Sequence, residues 1–162
     1  MYICKHFNLH ELVYPELYKQ YEEKQWALWK IFNPNILITA DRLREFLKCK
    51  VIINNWYWGG SFRYSGLRPI DCKVGAPLSD HKFAHALDLK FESNIWNPER
   101  LREYMKSIGC FEEGFSSRID DEAYPFILIT SIEWNPGMTW FHVSCSNYLN
   151  TEKNCIRIIR TK

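Results

Sequence analysis

Apolar positions along the chain fall into helical and strand-like runs. Asn8 stands three residues before Glu11, a capping-box arrangement that predicts a helix start. From there to about Phe32 a helical region is predicted, broken near Pro15, with Leu12, Leu17, Tyr18, Tyr21, Leu28 and Trp29 available to cover a core. Asn33-Pro34 reads as N-cap and first residue of a second helix, whose Ile36, Ala40, Leu43 and Leu47 form one apolar stripe. Asn97-Pro98 opens a third, with Leu101, Tyr104, Met105 and Ile108 inward and Gly109 as its stop. Val51-Ile52-Ile53 and the segment Ala84 to Phe91 read as strands, separated by a Gly-containing loop from Gly59 to Pro77. Phe126 to Trp134 and Thr139 to Cys145 read as a hairpin around Asn135-Pro136-Gly137-Met138, and Cys155 to Arg160 as a last strand. Helices first and strands later predict an α+β fold, a small antiparallel sheet with helices packed on it. With no repeat and no Gly/Ser linker, residues 1–162 read as a single domain.

Composition narrows the function. The chain has 21 basic and 19 acidic residues, a net charge of +2, too balanced to argue for nucleic-acid binding. No apolar run is long enough to span a bilayer. Met1 to His6 lacks a basic region followed by an apolar stretch, so the expectation is a protein made in the cytoplasm without a signal peptide. None of the six cysteines forms a C-x-x-C pair, which argues against a thiolate zinc knuckle and for reduced, mostly buried thiols.

Two stretches carry candidate chemistry: Ser79-Asp80-His81-Lys82-Phe83-Ala84-His85-Ala86-Leu87-Asp88 and Thr139-Trp140-Phe141-His142-Val143-Ser144. A hydrolytic zinc ion takes about three N/O ligands and keeps one open position. His81, Asp88 and His142 would supply two neutral nitrogens and one carboxylate oxygen, leaving a net positive ion that acidifies a water at the open position toward a pKa of about 7. The spacing from His81 to Asp88 is too long for one helical face and suits a loop feeding a strand. His6 and His10 read as ordinary packed or surface residues.

The pattern Ser-x-His-x-x-(small)-x-Ala-x-Asp, followed downstream by Trp-x-His, resembles the signature of the M15-type zinc peptidases. That group includes D-Ala-D-Ala carboxypeptidases and phage L-alanyl-D-glutamate endolysins, and the hedgehog signalling domain shares its fold. Ser65-Gly66-Leu67-Arg68-Pro69 upstream of Gly75-Ala76 resembles the family's Ser-Gly-(Tyr/Leu)-Arg segment, and Asn54-Asn55-Trp56 with Gly59-Gly60 resembles the small phage-type members. The resemblance covers roughly residues 8 to 146. It implies a hedgehog/DD-peptidase-like zinc peptidase fold, Zn2+ on His81, Asp88 and His142, and a substrate-binding or charge-stabilising role for Arg68. A guanidinium suits that role because it forks onto a carboxylate or steadies an oxyanion. Ser79 is expected to position the metal loop and to contact substrate. His85 alternates away from Asp88 and stays outside the ligand set.

Two positions depart from the family pattern. Ala84 stands where Gly is usual, and Thr139 stands where many members carry the catalytic carboxylate, three residues before the last ligand. If Asn135 pairs with Met138 across a two-residue turn, Glu133 opposes Trp140 and lies diagonal to His142, making it the candidate general base. A one-residue slip would turn Glu133 to the other face, leaving Asp80 or Asp120 as alternatives.

The expected activity is therefore a zinc metallopeptidase cutting stem peptides of bacterial peptidoglycan at the cell wall, as a holin-released endolysin or a virion-borne wall opener. The competing expectation is an M15-like fold impaired by Thr139, kept as a structural or binding module among virion partners. A disulfide-stapled secreted binder is a third class. Trp56, Trp58 and Tyr64 are candidates for stacking on sugars or peptides.

Overall fold

The structure, a computed structural model, describes residues 1–146 and 153–160. The chain opens with α1 (Leu9–Leu12), whose Asn8 and Glu11 form the reciprocal capping box. It turns extended at Val13, and α2 (Pro15–Gln20) begins at the proline. Glu22–Lys30 continues as 3-10 turns broken at Lys24, so the first helical region is three short pieces. Next, α3 (Pro34–Leu47) starts where Asn33 Oδ1 accepts the Asn35 N–H at 2.9 Å and Pro34 has no N–H to satisfy. Its Ile36, Leu37, Ala40, Leu43 and Leu47 are buried in the core. Likewise α4 (Pro98–Ser107) starts where Asn97 Oδ1 accepts the Arg100 N–H at 2.9 Å, and it stops before Gly109 at φ 76.

The fold is mixed α+β around one four-stranded sheet, formed by β1 (Ala86–Leu89), β2 (Ser131–Glu133), β3 (Phe141–Ser144) and β4 (Arg157–Ile159) in the order β1-β3-β2-β4. β3 pairs antiparallel with β1 and β2. The sheet is not wholly antiparallel, because β4 enters along the free edge of β2 in the same direction as β2. Each predicted strand is shorter than its apolar run. Val51 to Ile53 makes one bridge, Ile52 to Lys90, and no strand. Residues 121–128 are turns, so β2 begins only at Ser131. The β2–β3 connection spans residues 134–140, which is longer than a two-residue hairpin.

The segment Ser65 to Arg68 locks the helical layer to the edge of the sheet. The Ser65 carbonyl accepts the Asp88 N–H at 2.7 Å, covering the outer edge of β1, and the Leu67 N–H donates to the Leu12 carbonyl at 2.8 Å. Gly66 sits between these bonds, and a Cβ there would stand 2.0 Å from the Leu12 carbonyl oxygen. The nearest atoms all belong to the Leu12 backbone, so no side chain can give way. Gly66→Ala is expected to lower stability by about 1–3 kcal/mol or more, the usual range for overpacking. An urea midpoint unchanged from the parent protein would show that the segment can shift aside.

Candidate metal centre

The three residues singled out on the sequence converge. His81 stands in the 3-10 turn Asp80–Phe83, Asp88 in β1 and His142 directly opposite Asp88 on β3. His81 Nε2 lies 3.2 Å from His142 Nδ1 and 3.3 Å from Asp88 Oδ1, and His142 Nδ1 lies 2.8 Å from Asp88 Oδ1. These three atoms form a group that could hold a metal ion. A tetrahedral ion with bonds of about 2.0–2.1 Å needs ligand atoms about 3.3–3.4 Å apart, so the triangle fits with small outward movement.

The surroundings prepare each donor. His81 is 1% exposed, and its Nδ1 lies 2.8 Å from the Gly66 carbonyl. A carbonyl only accepts, so Nδ1 carries the proton and Nε2 presents its lone pair to the triangle. Burial lowers the His81 pKa and keeps the ring neutral, the form that ligates. Asp88 is 8% exposed. Burial works to raise its carboxyl, but the close His142 and His81 rings outweigh that and hold it well below the usual carboxylate range.

Arg68, 9% exposed, places one terminal nitrogen 2.8 Å from Asp88 Oδ2, on the side away from the histidines. Its Nε donates to the Tyr64 carbonyl at 2.5 Å and its other terminal nitrogen to the Val74 carbonyl at 3.4 Å. Most of the fork is thus engaged inside the protein, and its direct partner is a candidate metal ligand. Gly75, at φ 80, leaves the room that this guanidinium occupies; a Cβ there would lie 2.9 Å from it.

A cleft of about 420 Å³ opens over the triad, and Arg68, Ser79, Asp80, Glu133 and Trp140 line it with the three ligand candidates. The three ligand candidates, Arg68, Ser79 and Glu133 therefore share one cavity. The Ser79 backbone makes the loop bonds, to Ala76 and Lys82, while its hydroxyl makes none among the described residues. Asp80 accepts the buried Ser144 hydroxyl. Asp120 is paired with Arg118 outside the cleft, and Thr139 is exposed and outside it too. His85 joins the sheet edge through its carbonyl, which accepts the Cys145 N–H at 2.8 Å. Ala84 adopts φ 57, a left-handed conformation that favours glycine, which accounts for a small residue there.

The register carrying Glu133 differs from the expectation. Ser131 pairs with Ser144 and Ile132 with Val143, so continuing the ladder sets Glu133 across from His142, not Trp140. A shift of two residues preserves the face, so Glu133 still lines the cleft.

Two residues of the site escaped the sequence reading. Arg102 of α4 is fully buried, donates from Nε to the Glu133 carbonyl at 3.2 Å, and donates from a terminal nitrogen to the Trp140 carbonyl. It pins both ends of the β2–β3 connection and so positions Glu133; an arginine on a helix gives no sequence signal for that reach. Lys90 lies two positions beyond Asp88, its Nζ donating to Ser65 Oγ at 2.6 Å and to the Asp88 carbonyl at 3.2 Å. Its alternation with Asp88 along the strand-like segment Ala84 to Phe91 was the available signal.

Burial pushes the Lys90 amine down from 10.5 to about 8. Between about pH 8 and 10.5 the unfolded chain therefore holds a proton that the folded chain has released, and stability rises with pH across that window. The raised thiols of Cys110 and Cys145, pushed up to about 12 by burial, pull the other way at alkaline pH. Lys90→Met removes only the rising contribution, so the parent should gain stability on the variant between pH 8 and 10.5. A parent-minus-variant difference that is flat with pH would contradict the buried, charged amine.

All six cysteines are free thiols. No helix among the described residues is long and apolar enough to cross a membrane. No family model, no curated protein and no solved structure matches the chain.

Proposed function

We propose that the chain is a zinc-dependent peptidase of the M15 type, with a hedgehog/DD-peptidase-like fold, hydrolysing peptide bonds in the stem peptides of bacterial peptidoglycan. The observation that carries this reading is the convergence of His81, Asp88 and His142 at 2.8–3.3 Å beneath a cleft that also holds Glu133. The Ser65 to Arg68 segment supports it, since Gly66 orients His81 and Arg68 orients Asp88. Two imidazoles and one carboxylate are the donor set of a hydrolytic zinc site, as opposed to a closed thiolate site. Bound there, zinc supplies Lewis acidity toward water and the scissile carbonyl.

The protein's own groups do the rest. Glu133, opposite His142, takes the proton of the attacking water and returns it to the leaving amine. Arg68 holds Asp88 in place, and the uncommitted Ser79 hydroxyl offers a hydrogen bond to the bound peptide. The biological setting proposed is a phage-associated protein acting at the cell wall, as endolysin or virion-borne wall opener.

The test is digestion of purified peptidoglycan with the zinc-loaded protein, with and without chelator, read by mass spectrometry of released muropeptides. Chelator-sensitive release of new amino termini or free D-alanine is the expected result. Zinc binding without release from any wall type would leave the impaired, virion-bound binding module in its place.

A further inference from the structure

A second cavity, sharing no lining residue with the metal cleft, lies between α1 and the 3-10 turn Trp56–Trp58. Its volume is about 440 Å³, and it is lined by Glu11, Lys50, Ile52, Asn55 and Trp58 among others. The three tryptophan and tyrosine rings of the turn have different roles. Trp56 Nε1 donates to the Val13 carbonyl at 2.9 Å, which makes it structural. Tyr57 and Trp58 are 53% and 62% exposed. The His10 ring stacks on Tyr57 at 4.2 Å and meets Trp58 edge-on at 4.8 Å, so these exposed rings are held in place. Gly60 allows the turn to close on Asn55; a Cβ at Gly60 would stand 2.1 Å from the Asn55 side chain.

The polar groups around the indole are half used. Glu11 Oε2 takes the Asn8 N–H at 2.9 Å and Asn55 Oδ1 takes the Phe62 N–H at 2.8 Å. Those bonds fix the two side chains and leave Glu11 Oε1 and the Asn55 amide nitrogen without a protein partner among the described residues. The Lys50 amine and the Trp58 indole N–H are equally uncommitted. The cavity thus offers an aromatic face, an apolar floor at Ile52, and a rim of one planar acceptor and several donors.

We propose that this cavity binds a saccharide ring, of the neutral hexose or N-acetylhexosamine class. A pyranose has an apolar C–H face that covers an indole and a rim of hydroxyls that both donate and accept, which the cavity matches on both counts. Glu11 and Lys50 both line the cavity, so its charged side chains carry no net positive charge, which selects against phosphates and other anions. The site stands apart from the metal centre, so it would hold a glycan strand whether or not the peptidase reading is right.

The test is a titration with N-acetylglucosamine tetramer, followed through the indole N–H resonances of the seven tryptophans. One resonance should move, and it should be absent from Trp58→Ala, which also loses at least tenfold in affinity. Trp58→Phe should retain part of the binding. Because Trp58 is exposed, the alanine variant is expected to fold; unchanged zinc stoichiometry and circular dichroism check this. His142→Ala should bind the sugar as the parent does. No shift at millimolar tetramer, shifts confined to Trp140 in the metal cleft, or equal binding by Trp58→Ala would each overturn the proposal. None of these outcomes bears on peptidoglycan turnover, whose failure would in turn leave sugar binding standing.

Discussion

Asp88→Ala is expected to abolish metal binding and to cost about 3–5 kcal/mol in stability, the range for breaking a buried ion pair from one side. Asp88 is the hub of the centre: Oδ1 faces both histidines and Oδ2 takes Arg68 at 2.8 Å. Its removal strands a guanidinium that is 9% exposed. The remaining bonds of Arg68 go to two carbonyls, which carry no neutralising charge. In zinc-containing buffer the gap widens, because the parent gains ligand stabilisation of about 4 kcal/mol at a thousandfold excess over Kd. The double variant Arg68→Met, Asp88→Leu separates the two losses. It should recover much of the stability, since similar-sized apolar residues replace a buried pair at little cost, and it should still bind no metal. A single variant as stable as the parent would mean that Arg68 reaches water when unpaired.

Glu133→Gln is expected to lower peptide turnover by about 10²–10⁴-fold while zinc stays bound, the usual contribution of a positioned proton-transfer group. The amide keeps the size of the side chain and its place opposite His142 but cannot accept the proton. Stability should change little, because the Arg102 anchor is made to the Glu133 backbone carbonyl and survives the substitution. Turnover equal to the parent would assign the proton to Asp80, the other carboxylate of the cleft outside the ligand set.

The parts of this architecture legible in the sequence are those encoded by short-range chemistry. Asn33-Pro34 and Asn97-Pro98 announced α3 and α4 because an Asn cap and a proline at the first turn act within three residues. The triad was legible because the motif placed His81 at the exit of a loop and Asp88 on the strand that follows, and a strand pairing brought in His142. What escaped was set by distant partners. The β2–β3 connection runs through residues 134–140 because Arg102 ties its two ends, and no turn rule applied to Asn135-Pro136-Gly137-Met138 contains that arginine. The direction of β4 depends on which edge it finds, which its apolar residues do not encode. The partner that Arg68 takes in space, Asp88, stands 20 residues away and is not written in the Ser65 to Pro69 segment.

If His81, Asp88 and His142 hold one metal ion, zinc analysis of the protein after exhaustive dialysis will show it. The parent and Glu133→Gln should each retain about one zinc per chain, as a single site with three protein ligands requires. His142→Ala should retain far less than one. Its ring is less buried than that of His81, so the loss should come without unfolding. A parent protein that retains no zinc, or a His142→Ala variant that retains as much as the parent, would rule out a metal site on these three residues.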